Sequence, residues 1–407
     1  MQPTCFGHGG TSVAIPAAQE HTWQRKSGVW DAPPVMYERL FAEHLTLPPR
    51  GAPLDRLALP AGGGVYAVTD EDGLLVQIIG AQSIRRSLWQ RLAPQAAGAS
   101  RKRADLRSVA RVLWWQRTYS TFETSFVHLN IVRQLHPRDY QKQLGFGPAW
   151  FARLDLSARV PRWVVAKKAF GEGVMLAGPF VTRKHCARFV QLLEDLFDLC
   201  RRHDILERVP RGQRCAYFDM GRCPAPCDGT MEMKEYRAVL EASARLATTG
   251  KSEHAAALQA RMARASAALD FDRAQQLKSG ISRVGEALSE EGRFALSPET
   301  FCCLVIHAGA GVGRVRPFFV NRGRIEVGRD TDARTVDQAA RRWADYDWSS
   351  DNAAQCDSTY RTECLALVNH YLAKGAQASG VYLSECAARD PQTIVERVRA
   401  KYLHLPP

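Results

Sequence analysis

The 407-residue sequence predicts a modular α+β multidomain protein. The chain is longer than one hydrophobic core normally organises, so several modules are expected. Strand-like and helix-like patterns alternate between residues 60 and 201 and again after 297, whereas residues 231–286 are proline-free and rich in Ala, Glu, Gln, Lys, Arg and Leu, a helical composition. Hydrophobic residues make up 45% and charged residues 24%, as in a soluble globular protein. No apolar run approaches the roughly 18 residues of a membrane span. The first 30 residues lack a basic start followed by an apolar stretch, so no secretory leader, no membrane association and a cytoplasmic location are expected.

Residues 1–57, rich in Pro, Gly and Ala around a short helical stretch near Tyr37 to His44, read as an N-terminal extension with little core of its own. A first module covers 58–150. Val65–Val68 and Leu74–Ile79 are strand-like and flank Asp70-Glu71-Asp72-Gly73, a hairpin-turn composition. A helix over Ser83–Leu92 and a strand over Val109–Trp115 follow. Phe122, Phe126, Leu129 and Val132 then recur at helical spacing until Pro137 stops the helix. Residues 151–235 contain strand patterns at Pro161–Ala166 and Val174–Pro179, an amphipathic helix over Lys184–Arg201 carrying Phe189, Leu192, Leu193 and Leu196, and a cysteine-rich segment. In 236–290, Leu258, Met262, Ala265, Leu269, Phe271, Ala274, Leu277 and Ile281 line two helices on either side of a break, with Asp270 placed to cap the second. Residues 295–407 open on strands at Phe301–Ile306 and Val315–Val320 and read as a small α/β module; Asp330, Asp332, Asp345 and Asp347 are expected in surface loops.

The net charge of +13 is spread over several basic stretches, among them Arg85-Arg86, Arg101-Lys102-Arg103 and Arg201-Arg202. It suits a polyanionic partner, because each phosphate neutralised releases condensed counterions. Of eleven cysteines, Cys5, Cys186, Cys302, Cys303, Cys356, Cys364 and Cys386 lack ligand spacing and read as structural. The other four run Cys200-x14-Cys215-x7-Cys223-x3-Cys227, with Pro224 and Pro226 stiffening the last loop. Four thiolates gathered in a reducing compartment need a metal to neutralise them, and an iron-sulfur cluster or zinc would serve. The helical hairpin is too small to bury both its faces, so a partner surface is expected.

The cysteine segment, Gly221-Arg222-Cys223-Pro224-Ala225-Pro226-Cys227, and the hairpin Leu258-x3-Met262-x6-Leu269-x-Phe271-Asp272-x-Ala274-x2-Leu277-x3-Ile281 together resemble the middle of the UvrC family of bacterial nucleotide excision repair. The resemblance implies a [4Fe-4S] cluster on Cys200, Cys215, Cys223 and Cys227. It also implies that the hairpin is a UVR motif that contacts a UvrB-type helicase through Leu258, Met262, Leu269, Phe271, Leu277 and Ile281. Upstream, Gly64-Val65-Tyr66, Ile78-Ile79-Gly80, Arg85 and Asn130 are laid out like the GIY-YIG nuclease domain of that family. There, two tyrosines handle the attacking water, an arginine stabilises phosphate charge, and a glutamate holds the divalent metal.

Carried over residue by residue, Tyr66 and Arg85 are present, but Ile78 stands at the second tyrosine and His128, two residues before Asn130, at the glutamate. Mg²⁺ prefers carboxylate and water to imidazole, so no metal is expected at this site. Glu123 lies about one and a half turns away with an angular offset of about 140°, a poor substitute. Arg85, Arg86 and Arg133 would keep contacts to DNA phosphates without a metal. The segment Val315 to Ile325 is similar to the start of the region that follows the UVR motif, and the RNase H-like second nuclease centre is expected to be missing. The resemblance therefore implies a catalytically degenerate DNA-binding adaptor. An active structure-selective DNA endonuclease is the alternative the sequence leaves open.

Overall fold

The computed structural model describes residues 34–48, 57–92, 106–171, 173–248, 251–289, 296–350, 356–374 and 379–403. Cys5 and the run Arg101-Lys102-Arg103 lie outside them. The chain is mixed α and β, and it divides into two compact units: residues 1–117 with 127–143, and residues 118–126 with 144–407.

In the first unit, α1 (Pro34–Leu40) and β1 (Glu43–Thr46) precede the hairpin of β2 (Gly64–Thr69) and β3 (Leu75–Ala81), followed by α2 (Ile84–Leu92), α3 (Leu106–Val109), β4 (Val112–Arg117) and α4 (Thr121–Leu135), of which residues 127–135 belong here. The strands form one antiparallel sheet in the order β1-β4-β2-β3. Alternation along β2 sends Tyr66 and Val68 into a core with Ile84, Leu88 and Leu92 of α2, and Val65 and Ala67 into another with Tyr37, Phe41, Ile131 and Leu135. Residues 34–48, expected to carry little core, therefore supply an edge strand and buried Tyr37, Phe41 and Leu47. The strand expected from Val109 begins at Val112, because Leu106–Val109 closes a helical turn first.

The second unit contains two sheets. β5 (Trp150–Leu154), β6 (Trp163–Ala166) and β7 (Met175–Phe180) form an antiparallel sheet in the order β6-β5-β7. It is covered by α5 (Arg183–Leu196), whose cap residue Thr182 accepts the His185 amide, and further on by α8 (Met233–Thr248). The short helices α6 (His203–Leu206) and α7 (Ala216–Asp219) lie between them and carry the cysteine segment. Next come α9 (Lys251–Ala267) and α10 (Phe271–Ser289), an antiparallel hairpin.

The last sheet, built from β8 (Cys302–Ala308), β9 (Arg314–Asn321), β10 (Arg324–Val327), β11 (Thr331–Asp332) and β12 (Val381–Ser384), runs β10-β9-β8-β12 with β11 paired to β9. Leu304, Ile306, Val315 and Phe319 on one face meet α11 (Val336–Ala344) and α14 (Pro391–Tyr402). α12 (Ser358–Leu372) is buried along most of its length, and α13 (Glu385–Ala388) precedes α14. The β9-β10 turn has φ of 50° at Arg322 and 83° at Gly323. A Cβ at Gly323 would lie 2.6 Å from the Arg361 carbonyl oxygen, so this turn requires glycine.

Candidate functional site

The cysteine site forms where α5 ends. The helix stops at Leu196, short of the expected Arg201, and Asp198 takes a φ of 51°, which turns the chain so that Cys200 faces inward beneath α8. The Cys200 amide donates to the Tyr236 hydroxyl at 3.1 Å. Cys200, Cys223 and Cys227 are buried and Cys215 is half-buried. The Cys200 thiol points to the Arg202 carbonyl at 3.6 Å; the neighbouring Cys223 thiol and burial raise the Cys200 pKa, and the Cys200 thiol lowers that of Cys223 to about 7 against the opposing effect of burial. Burial raises Cys227, with Cys223 and Cys215 adding to the effect. Cys200, Cys223 and Cys227 are therefore close enough to act on one another.

The loop around them leaves little slack. Ala225 is left-handed (φ 55°), and the Gly212 amide donates to the Cys227 carbonyl at 2.9 Å. A Cβ at Gly212 would meet that oxygen at 2.8 Å and the Cys227 Cβ at 3.0 Å. Arg201 crosses the ring of Tyr217 and pairs with Asp195 at 2.6 Å, while Arg214 crosses Phe218 and pairs with Asp228. Among the described residues, no three His, Cys, Asp or Glu side chains are preset as a ligand shell. The Cys200 and Cys227 thiols point to the backbone carbonyls of Arg202 and Gln213, and as donors the four thiols have the chemistry of ligands to an iron-sulfur cluster or zinc.

In the hairpin, Leu258 and Leu277 are buried against each other, with Met262, Ala265 and Ile281 beside them and Leu196 of α5 packed on the same cluster. Asp270 caps α10 by accepting the Arg273 amide at 3.1 Å. Leu269, in a left-handed turn (φ 60°), and Phe271 project from the tip at 72% and 65% exposure. The apolar stripe is thus divided. One part holds the two helices together and onto α5, and the tip is open.

The nuclease-like residues do not converge on one point. Tyr66 is fully buried, and its hydroxyl is 2.8 Å from Ser87 Oγ of α2; burial raises its pKa, opposed by Ser87 and by the Arg91 guanidinium. Arg85 turns away and donates twice to the Leu59 carbonyl, at 3.0 and 2.7 Å. The arginine beside Tyr66 is Arg91, which also reaches Gln77 at 3.1 Å. Motif spacing pointed to Arg85, and nothing in the sequence distinguishes its rotamer from that of an arginine six residues on. Ile78 packs with the Val65 face of the sheet, opposite Tyr66. His128 shares an α4 stripe with Ile131 and Leu135, and its burial lowers its pKa to about 4, so it is neutral at pH 7. Asn130 is half-buried, and Arg133 donates to the Tyr140 hydroxyl at 3.2 Å.

Glu123, the sole acid of α4, lies with its partners in the second unit. Arg316 of β9 bridges it to Asp330, and Glu123 also accepts the Tyr119 amide at 2.8 Å. The three side chains are only 6%, 21% and 10% exposed for Glu123, Arg316 and Asp330. Burial raises the Glu123 pKa, and Arg316 opposes the rise. Asp330, expected in a surface loop, is part of this enclosed network because Arg316 and the Ala310 amide, at 2.6 Å, both draw it in. Next to it, Phe122 is fully buried, stacked on His307 at 4.9 Å and edge-on to Phe318 and Tyr371 at 5.0 and 5.4 Å.

The strands, α5 and the cysteine loop define a recognised module: residues 150–246 match the family described as UvrC/Cho excinuclease, middle domain. The curated proteins similar to this chain include the UvrABC system protein C of Trichlorobacter lovleyi, 24% identical over 58% of this chain and 38% of that one. Those of Geobacter metallireducens, 25% identical over 66% and 43%, and Moorella thermoacetica, 24% over 67% and 44%, match at a similar level. The chain is similar to the UvrC family over these spans. It spans about two-fifths of the length of the curated relatives it matches. No solved structure matches it significantly, and no helix among the described residues is long and apolar enough to cross a membrane.

Proposed function

We propose that this chain is a nucleotide excision repair protein of the UvrC type that acts as a nuclease-deficient adaptor, binding DNA and a UvrB-type helicase. The observation that carries the reading is the fate of the acids and bases on α4. His128, at the position of the metal-binding glutamate, is buried and neutral, and the helix's sole carboxylate, Glu123, is committed to Arg316 and the Tyr119 amide. Loss of a divalent metal removes several kcal/mol of transition-state charge stabilisation, on the order of thousands-fold in rate.

The hairpin tip supports the partner role, because exposed Leu269 and Phe271 are the apolar groups that α5 leaves uncovered. Phe271→Ala is expected to weaken capture of the chain by an immobilised UvrB-type helicase about ten-fold or more, while stability changes by less than about 0.5 kcal/mol, since the ring is exposed. Retained capture would contradict the assignment of the tip. Cys200, Cys215, Cys223 and Cys227 would hold a [4Fe-4S] cluster, with zinc as the alternative. Bound there, the group would tie the end of α5 to the following loops. Anaerobically purified protein is expected to contain iron and acid-labile sulfide that fall to background in Cys223→Ser; zinc without sulfide would select the alternative.

A further inference from the structure

The outward face of α2 is basic and aromatic, and nothing among the described residues of its own unit covers it. Ile84, Leu88 and Leu92 face the core, which leaves Arg85, Arg86, Trp89 and Gln90 outside, with Arg91 flanking them. The helix has no acidic residue. Trp89 is 43% exposed and, among the described residues, has no ring or hydrogen-bond partner. Arg86 is exposed and has no ion-pair partner among them. Arg91 reaches back to Gln77, and Arg85 to the Leu59 carbonyl. An open indole between guanidinium groups has the composition of a platform on which a base stacks while arginines hold the flanking phosphates.

We infer that the outer face of α2 binds single-stranded or unpaired DNA, with Trp89 stacking on an extruded base and Arg86 and Arg91 contacting the adjacent phosphates. The inference rests on the DNA-binding part of the proposed function and specifies its surface and its substrate class. Paired bases in a duplex are stacked on one another and present no free face to an indole, so Trp89 should discriminate unpaired from paired strands. Arg86 should act on both, because a phosphate contact carries no information about pairing.

The test uses the full chain and fluorescence anisotropy with a labelled single strand, the matching duplex and a duplex containing an unpaired bubble. Trp89→Ala is expected to weaken binding of the single strand and the bubble about ten-fold or more and to change duplex binding less than about three-fold. Trp89→Phe should restore most of the loss, because it restores an aromatic face. Arg86→Glu should weaken all three and make the salt dependence shallower by about one ion. Thermal melting of each variant verifies that the fold is intact; Trp89 is partly exposed, so a melt close to wild type is expected. Equal losses on duplex and single strand, or single-strand affinity unchanged in Trp89→Ala while the wild type binds, would overturn the assignment of this face and leave the adaptor reading standing. Wild-type protein that binds none of the three would overturn both.

Discussion

Replacing Arg316 with alanine should destabilise the second unit by about 3–5 kcal/mol, because it leaves two enclosed carboxylates, Glu123 and Asp330, without the cation between them. The guanidinium also lies over the Tyr119 ring, 5.1 Å from its centroid, so packing is lost with the charge. Arg316→Lys should recover only part of the loss, since a single ammonium cannot bridge both acids with a rigid fork. Chemical denaturation measures this directly. The pH dependence has a definite sign. Burial raises the Glu123 pKa in the folded protein above its unfolded value, and Arg316 limits the rise. A carboxyl shifted in that direction favours the fold below its unfolded pKa, and the contribution is lost as pH rises through the folded pKa. Removing Arg316 raises the folded pKa further, so the deficit of Arg316→Ala should be largest near pH 7 and shrink as the pH falls toward 5. A deficit that is constant across this range, or smaller than about 1 kcal/mol, would mean that the three groups are solvated rather than enclosed.

Phe122→Ala is expected to cost about 3–5 kcal/mol, the range for deleting a fully buried aromatic ring. The cavity would open between His307, Phe318 and Tyr371, and the stacked and edge-on contacts with these rings would be lost with it. His307 would suffer most. Its Nε2 is held by the Tyr382 hydroxyl at 3.1 Å and its Nδ1 has no partner, so it depends on aromatic enclosure to remain neutral. Phe122→Leu should cost less than half as much, since it fills most of the volume. Because Phe122 and Glu123 are adjacent, the effects of Phe122→Ala and Arg316→Ala should not add, and the double variant measures their coupling. Denaturation midpoints for the set decide the matter; a loss below about 1 kcal/mol for Phe122→Ala would contradict the packing described.

The elements that were legible in the sequence are those with a local cause. The β2-β3 hairpin follows from Asp70-Glu71-Asp72-Gly73, and Asp70 Oδ1 does accept the Asp72 and Leu74 amides at 3.0 and 2.8 Å. The break between α9 and α10 follows from Asp270, which caps as expected. By contrast, β5 is the central strand of its sheet yet has no clear sequence signal, because Trp150–Leu154 is five residues long and interrupted by Arg153, so it shows neither clean alternation nor a continuous apolar run. The helical pattern continues toward Arg201, but α5 ends at Leu196, where the left-handed Asp198 turns the chain so that Cys200 is buried. The spacing Cys200-x14-Cys215-x7-Cys223-x3-Cys227 marks the segment, but among the described residues no three of its side chains form a ligand shell. The commitment of Glu123 to Arg316 was not legible, since the two are 193 positions apart and neither has a local pattern that names the other. The orientation of Tyr66 toward Ser87 and Arg91, and of Arg85 toward Leu59, depends on rotamers that no motif specifies.

The central proposal is that this UvrC-like chain binds DNA and a UvrB-type helicase without cutting. The most direct measurement incubates the purified chain, with and without a UvrB-type helicase, with nicked and with damaged duplex DNA in Mg²⁺ or Mn²⁺ and follows strand scission. The account predicts DNA binding without cleavage in either metal; cleavage by the wild type that disappears in Tyr66→Phe would contradict it.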